Sequence, residues 1–492
     1  MTAQKRSRRK DRLSPGLETC VAASESKLNV DTMRLASPTA SDHEVECMST
    51  VAAALDREAL ADWYRRNRQR SRQLFDLVRP EAYCSRPIAL RNPIVFYEGH
   101  LPGFSVNTLV KRALGRPGVD ERLERLFARG IDPEDEATAN RSQRDEWPSR
   151  NEVRRFADEC DALILEALAN APLEQPGHPL LHEAQAVYAI LEHEAMHQET
   201  MLYMWHQLPY EHKQAPADAS ADDSGTTPSP AKVTVLAGRA TLGAKPGEIP
   251  FGWDNEFPGL TVDVPAFEID VHNVTNERFM EFVDAGGYHQ PDWWTPSAFA
   301  WLRQEGIEHP RFWAKRNGTW KWRGMFEEID LPPAWPAYVS QAEAAAFVRW
   351  KGTRLPSEAE YHRAAFAEPS GDERQYPWGD AAPDASRGLF DFASWNPVAV
   401  GRHPAGQSAW GVHDLMGNGW EWTSTEFAPF DGFRPMASYP EYSADFFDGQ
   451  HVVMKGASPA TAAELLRRSF RNWFRTNYPY VYATFRCVRS IE

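Results

Sequence analysis

Through the first half of the chain, apolar side chains recur every three to four positions, the spacing that gathers them on one face of an α-helix. Ala54 to Val78 carries Leu60, Trp63, Leu74 and Phe75 among good helix formers, and Pro80 closes the segment. Val119 to Arg129 and Asn151 to Ala169 show the same period, with Asp132-Pro133-Glu134-Asp135-Glu136 as a charged turn between them. Another run ends in Leu191 to Met204, where Leu180, Ala184, Val187, Tyr188, Leu191 and Ala195 form an apolar stripe. His100 follows Phe96-Tyr97 and precedes Leu101-Pro102-Gly103-Phe104, which places it where a further helix begins or bends. These segments predict a four-helix bundle over residues 52–211.

Between Glu211 and Lys232 the composition shifts abruptly to Pro, Ser, Asp, Ala and Gly, so residues 212–231 read as a flexible linker. Beyond it, Trp, Gly and Pro become frequent. Helical periodicity survives only near Asn276 to Ala285 and Gln341 to Lys351, and short strands such as Val233 to Leu236 and Thr261 to Val264 sit among long loops. Residues 232–492 are therefore expected to form a second, loop-rich domain held by aromatic packing, giving an α+β chain with little regular structure in this half.

Composition narrows the partners. The 492 residues are 42% hydrophobic, enough for two ordinary cores, and the formal net charge of −15 disfavours nucleic acid and anionic membrane surfaces. The basic run from Lys5 to Lys10 lacks the apolar segment of a signal peptide, so residues 1–51 read as a disordered lead. No run approaches the ~20 apolar residues of a membrane span. Cys20, Cys47, Cys84, Cys160 and Cys487 are scattered and have no C-x-x-C spacing, which argues for neither a disulfide scaffold nor a structural zinc site. A cytoplasmic location is expected.

Candidate chemistry centres on His193 and His197. Four residues apart on a helix, their imidazoles fall on one side of successive turns and can converge on one ion, with small Ala186 and Ala189 further back along the stripe. His193-Glu194-Ala195-Met196-His197 also fits H-E-x-x-H literally, in which Glu194 would be the general base of a zinc hydrolase. Gln198-Glu199-Thr200 offers no metzincin continuation, and the better third ligand is His100, upstream.

Four ordered blocks carry a resemblance. They are Arg354 to Tyr361, Tyr376-Pro377-Trp378-Gly379, Gly411 to Thr423, and Phe485-Arg486-Cys487. Together they resemble the signatures of the formylglycine-generating-enzyme, or sulfatase-modifying-factor, domain, whose core is C-type-lectin-like. Formylglycine-forming enzymes bind copper through a cysteine pair, whereas this half holds Cys487 alone, so that activity is not expected. Joined to a DinB-like bundle with a histidine triad, the chain over roughly residues 52 to 490 is similar to the sulfoxide synthases of ergothioneine biosynthesis and to the related ovothiol and selenoneine synthases.

The resemblance implies nonheme Fe(II) held by His100, His193 and His197, with vacant positions for substrate imidazole, sulfur or selenium, and O2. It implies oxidative bond formation between a thiol or selenosugar and the imidazole of hercynine, the trimethylated betaine of histidine. In Arg471-Asn472-Trp473-Phe474 it marks Trp473 as the aromatic contact to the trimethylammonium, with Asn472 and Phe474 beside it at the substrate. A tyrosine that supplies a proton or electron is implied near the iron, at Tyr439 or Tyr442, with Tyr439 preferred. Phe474 stands where relatives that use γ-glutamylcysteine carry an acidic residue, Met196 where a glutamine is frequent, and Lys455-Gly456-Ala457-Ser458-Pro459 where a glycine-glycine-serine-tryptophan block is usual. These departures point to another donor, cysteine or a selenosugar, and the overall pattern is closest to the selenoneine branch. An ovothiol-type enzyme acting on histidine and cysteine is the alternative. Outside the family, a zinc hydrolase predicts that Glu194 is essential and His100 dispensable, and a lectin-like binding module predicts no stoichiometric iron.

Overall fold

The computed structural model describes residues 55–128, 147–217, 219 and 224–491. The expected lead, the charged turn at Asp132 to Glu136, Cys20 and Cys47 lie outside the described residues. Among the described residues five α-helices precede the first strand: α1 (Arg57–Asp76), α2 (Ile94–Ser105), α3 (Glu121–Leu126), α4 (Arg150–Asn170) and α5 (Gln185–Gln207). The side chain of Asp56 caps α1 by accepting from Ala59 N at 3.0 Å, so the helix starts later than its apolar period suggested. Asp120 does the same for α3, accepting from Arg122 N and Leu123 N at 2.8 and 3.0 Å, which shortens the predicted Val119 to Arg129 segment. Glu183 and Ala184 have positive φ immediately before α5, so Leu180 and Ala184 of the expected stripe precede the helix, although both are buried.

His100 departs from its expected place. It lies in the middle of α2, which begins after Pro93 and passes through Pro102 before widening into a π-helix over Val106–Ala113. Every residue of α2 is buried, so packing outweighs the missing Pro102 N–H. A π-turn in a helix is costly and frequent at functional sites, and this one follows His100 by less than two turns.

Lys213 closes the helical part with a cost. Its side chain is buried, and its Nζ sits 4.9 Å over the Tyr210 ring with no hydrogen-bond acceptor. Burial, aided by nearby Arg323, holds its pKa down to about 7. A folded-state pKa below the unfolded value means that protonation opposes folding, with the full cost below about pH 7 and none above about 10.5. Lys213→Met is expected to raise stability by roughly 2 kcal/mol at neutral pH. Urea unfolding at pH 7 and pH 10 checks this, since the gain should shrink at the higher pH.

The remaining chain is built of short strands: β1 (Lys232–Val235), β2 (Gly238–Leu242), β3 (Leu260–Val264), β4 (Phe267–Asp270), β5 (Trp313–Arg316), β6 (Thr319–Arg323), β7 (Glu328–Asp330), β8 (Gly419–Glu426), β9 (His451–Ala457), β10 (Asn472–Arg475), β11 (Ala483–Thr484) and β12 (Val488–Ser490). They form sheets in the orders β1-β4-β12, β2-β3, β5-β6-β7 and β10-β9-β8-β11. Besides helices at Asn276–Asp284 and Gln341–Trp350, which the period predicted, there are helices at Pro296–Glu305 and Glu358–Phe366. The last of these had a readable start: Ser357 and Glu360 form a capping box, with Glu360 N donating to Ser357 Oγ at 3.1 Å and Ser357 N to Glu360 Oε2 at 2.8 Å. Trp253, Trp313, Trp322, Trp335 and Trp422 are fully buried, so aromatic packing does supply much of this core. No described helix is long and apolar enough to cross a membrane.

Helix α5 is joined to the strand-rich part at two carboxylates. Glu192 accepts from Trp253 Nε1 at 2.9 Å and pairs with Arg467 at 2.7 Å, and Arg467 also pairs with Glu256. Glu199 accepts from Trp420 Nε1, Ser458 Oγ and Thr461 Oγ1 at 2.7, 2.6 and 2.9 Å. The two acids stand just outside His193 and His197 in sequence, so the same contacts that hold the chain together fix the histidine-bearing turns against the second half.

Candidate metal centre

The two helices that touch at the heart of the bundle each bring imidazole to the same point. His193 and His197 lie one turn apart on α5, with ring centroids 4.5 Å apart, and each stands 5.1 Å from His100 of α2. One nitrogen from each ring can be chosen so that all three lie within 4.8 Å of one another. His100 Nδ1 lies 2.7 Å from the Phe127 carbonyl oxygen, so Nδ1 carries the proton and donates, leaving Nε2 with a lone pair. A side chain at Gly99 would collide with the Phe127 ring, so the glycine lets that carbonyl close on the histidine.

His100 Nε2, both nitrogens of His193 and His197 Nδ1 are buried without hydrogen-bond partners. Each such group costs about 1–3 kcal/mol if nothing satisfies it. Burial depresses the basicity of all three rings, to a pKa of about 4 for His100 despite its Phe127 contact, and well below the usual range for His193 and His197. They are neutral at pH 7. Three neutral, inward-turned imidazoles, each with a nitrogen that no protein group satisfies, form a donor set that a borderline divalent metal satisfies. Phe96 stacks on His100 at 5.0 Å and Phe104 on His193 at 3.5 Å, which locks the rings.

Glu194 is not part of this centre. One residue on from His193, it is rotated by about 100° around the helix and faces α1, where Arg68 Nη1 donates to it at 2.8 Å and Ser71 Oγ at 2.6 Å. A general base in a zinc hydrolase must reach metal-bound water, so the H-E-x-x-H reading fails on the direction of its glutamate.

Beside His193 and His197 opens a cavity of about 860 Å³, which Met196, Tyr439, Tyr442, Asn472, Trp473 and Phe474 also line. The Tyr439 ring centroid lies 6.2 Å from that of His193 and 5.5 Å from Phe104. Tyr442 stacks on Trp253 at 4.0 Å and directs its hydroxyl to Met196 Sδ at 3.2 Å; burial above all raises its pKa well above the usual phenol range. Trp473 stacks on Phe427 at 4.2 Å, and Phe474 on Tyr478 at 5.0 Å. Asn472 Oδ1 accepts from Trp473 N at 2.9 Å. Tyr439, Tyr442, Asn472, Trp473 and Phe474 thus lie on the cavity wall beside the histidine cluster, and Glu194 does not.

Other supports escaped the sequence. Arg112, from the π-helix, donates to the carbonyls of Ala437 and Ser438, each at 2.9 Å, and so pins the segment entering Tyr439. Arg91 donates to the hydroxyls of Tyr203 and Tyr478 at 2.6 and 3.0 Å beneath Phe474. Backbone carbonyls such as that of Phe127 leave no residue-type signal, and Arg112 is one basic residue among many. Gly99, directly before His100, was the one local clue. Cys84, Cys160 and Cys487 are free thiols.

Residues 217–491 match the sulfatase-modifying factor enzyme 1-like domain and residues 64–201 the DinB superfamily. The chain is 35% identical over 395 residues to hercynine oxygenase of Mycolicibacterium thermoresistibile, covering 77% of this chain and 82% of that protein. It is 33% identical over 428 residues to hercynine oxygenase of Mycolicibacterium smegmatis, covering 85% and 95%. With ergothioneine biosynthesis protein 1 of Neurospora crassa it shares 27% identity over 501 residues, 84% of this chain but 55% of that longer protein.

Proposed function

The chain belongs to the hercynine oxygenase family, an oxidoreductase lineage in which a DinB region precedes a sulfatase-modifying-factor domain, and from that premise we propose that it is a nonheme Fe(II), O2-dependent synthase that joins a thiol or selenosugar to the imidazole of hercynine. The observation that carries the reading is the convergence of three imidazoles, each with a buried nitrogen that no protein group satisfies, beside a cavity walled by Trp473 and two tyrosines. His100, His193 and His197 would hold the iron. Bound there, Fe(II) would supply electron transfer to O2 and bring both substrates together.

The net change balances as the imidazole C–H and the donor S–H or Se–H giving a C–S or C–Se bond. O2 is the four-electron oxidant, one oxygen ending on the chalcogen and the other in water. The chain's own task is placement, which removes the entropic cost of the encounter. His100 keeps its ligating nitrogen aimed through the Phe127 carbonyl, and Phe104 holds the plane of His193. Trp473, with Tyr442 edge-on at 5.2 Å, offers the aromatic faces that a trimethylammonium, which has no hydrogen to donate, requires. Phe474, packed on Tyr478, cannot accept a hydrogen bond from a peptide-like donor, which favours cysteine or a selenosugar over γ-glutamylcysteine.

The test is anaerobic Fe(II) loading, then air with hercynine and, in separate tubes, cysteine, γ-glutamylcysteine or a selenosugar, followed by mass spectrometry. An imidazole-linked sulfur or selenium adduct in one tube supports the reading and names the donor. Bound iron with O2 unconsumed in every tube counts against it.

Tyr439 is proposed to supply the proton or electron that steers the reaction to coupling. Tyr439→Phe is expected to shift product from the coupled species to oxidised donor, with total O2 consumption retained. Tyr442→Phe, whose hydroxyl is engaged by Met196, should shift it less. Equal partitioning in wild type and both variants, measured by chromatography, removes both tyrosines from this role.

A further inference from the structure

We propose that Arg475 completes a betaine clamp on β10, its guanidinium taking the carboxylate of the substrate whose trimethylammonium lies against Trp473. The inference rests on the hercynine reading and adds to it the recognition of the acid group. Successive side chains on a strand alternate between faces, so Trp473 and Arg475 stand on one face of β10, about 6–7 Å apart along it. Both line the cavity, and β10 is the edge strand of its sheet, open on the side away from β9.

Arg475 differs from the arginines around it in having no acid of its own. Arg467 is paired with Glu192 and Glu256, and Arg471 with Glu358 at 3.0 Å. Among the described residues no carboxylate lies within ion-pairing distance of the Arg475 guanidinium. Asp448, near enough for the Arg475 charge to help hold its carboxyl below the usual range, is already used: it accepts from Gln450 N at 2.8 Å and lies 2.8 Å from Nδ1 of His451, the cross-strand neighbour of Arg475. A partly exposed guanidinium on a cavity wall is a ready fork for a carboxylate.

The ligand chemistry matches this arrangement. In a betaine the quaternary nitrogen and the carboxylate hang from the same carbon, so a site that reads both must set an aromatic face beside a cation. Trp473, with Tyr442 and Phe446 against it at 5.2 and 5.7 Å, is the face; Asp445, also on the wall, adds negative charge for the ammonium. Arg475, on a long flexible stem two residues on, is the cation. A simple quaternary amine would use only the first half of the clamp.

Calorimetric titration of the Fe(II)-loaded full chain under argon tests the clamp, with hercynine and its decarboxylated analogue, trimethylhistamine, as ligands. Arg475→Gln is expected to weaken hercynine roughly ten- to a hundredfold, the worth of a charge-assisted hydrogen bond, and to leave trimethylhistamine unchanged. Arg475→Lys should fall between wild type and Gln, and Trp473→Leu should weaken both ligands. Equal affinities of wild type and Arg475→Gln for hercynine, or an equal loss for both ligands, would overturn the clamp while the hercynine reading stands. Wild-type protein that binds neither ligand would overturn that reading, and the clamp with it.

Discussion

His197→Ala is expected to lose iron and turnover together while the fold survives. The variant removes one of three inward imidazoles, leaving two donors where three lie within 4.8 Å of one another. Loss of an outer partner that merely orients a ligand costs about 10- to 100-fold in metal affinity, so loss of the ligand itself should exceed that range. Stability should change little, because the Nδ1 that disappears is a buried polar atom with no protein partner. Metal analysis after desalting should fall from one iron per chain to a trace, with coupled product below detection and an unfolding midpoint near that of wild type. A variant that retained a full equivalent of iron and turned over would show that His100 and His193 suffice.

Arg486→Leu carries the largest stability effect. Arg486 and Glu421 are both wholly buried, joined by two hydrogen bonds of 2.7 and 2.6 Å, and the guanidinium also donates to the carbonyls of Asp270, Val271 and His413 at 3.0, 3.1 and 2.8 Å. Leucine strands the Glu421 charge and takes a donor from three carbonyls, of which that of Val271 still accepts from His413 N at 2.9 Å. Breaking a buried pair by removing one partner costs about 3–5 kcal/mol, a large part of the 5–15 kcal/mol typical of a folded domain. Because Glu421 lies on β8 and Asp270 ends β4, the loss loosens two sheets at once. Urea unfolding should show a markedly lower midpoint, and adding Glu421→Gln should recover part of it by removing the stranded charge. An unchanged midpoint in the single variant would mean that water reaches Glu421.

Much of this was legible in local pattern. The i, i+4 spacing of His193 and His197 places two imidazoles on adjacent turns of any helix, and α5 is a helix through both. The blocks at Arg354 to Tyr361 and Phe485-Arg486-Cys487 were read as signatures, and their charged members prove to be structural. Arg354 pairs with Glu360 at 2.6 Å and Arg486 with Glu421. The helix over Glu358–Phe366 was missed because its apolar period is weak, although its capping box stood in the sequence. His100 was expected at a helix start or bend because Pro102 and Gly103 follow it; burial of the whole segment overrode their low helix propensity.

By itself, then, the sequence determined what lies within a few turns: the paired histidines on one helix face and caps such as Ser357 with Glu360, whereas the strand that sets Trp473 and Arg475 on one face came from the structure. Only the tertiary structure decided which way Glu194 turns, that the Phe127 carbonyl aims His100, and which tyrosine stands beside His193. The reason is physical. Helix and strand periods are set by backbone geometry and can be read from neighbouring residues, whereas contacts between distant segments depend on how apolar faces and buried ion pairs such as Glu192–Arg467 dock. Residue types report that docking only when all the partners are in place.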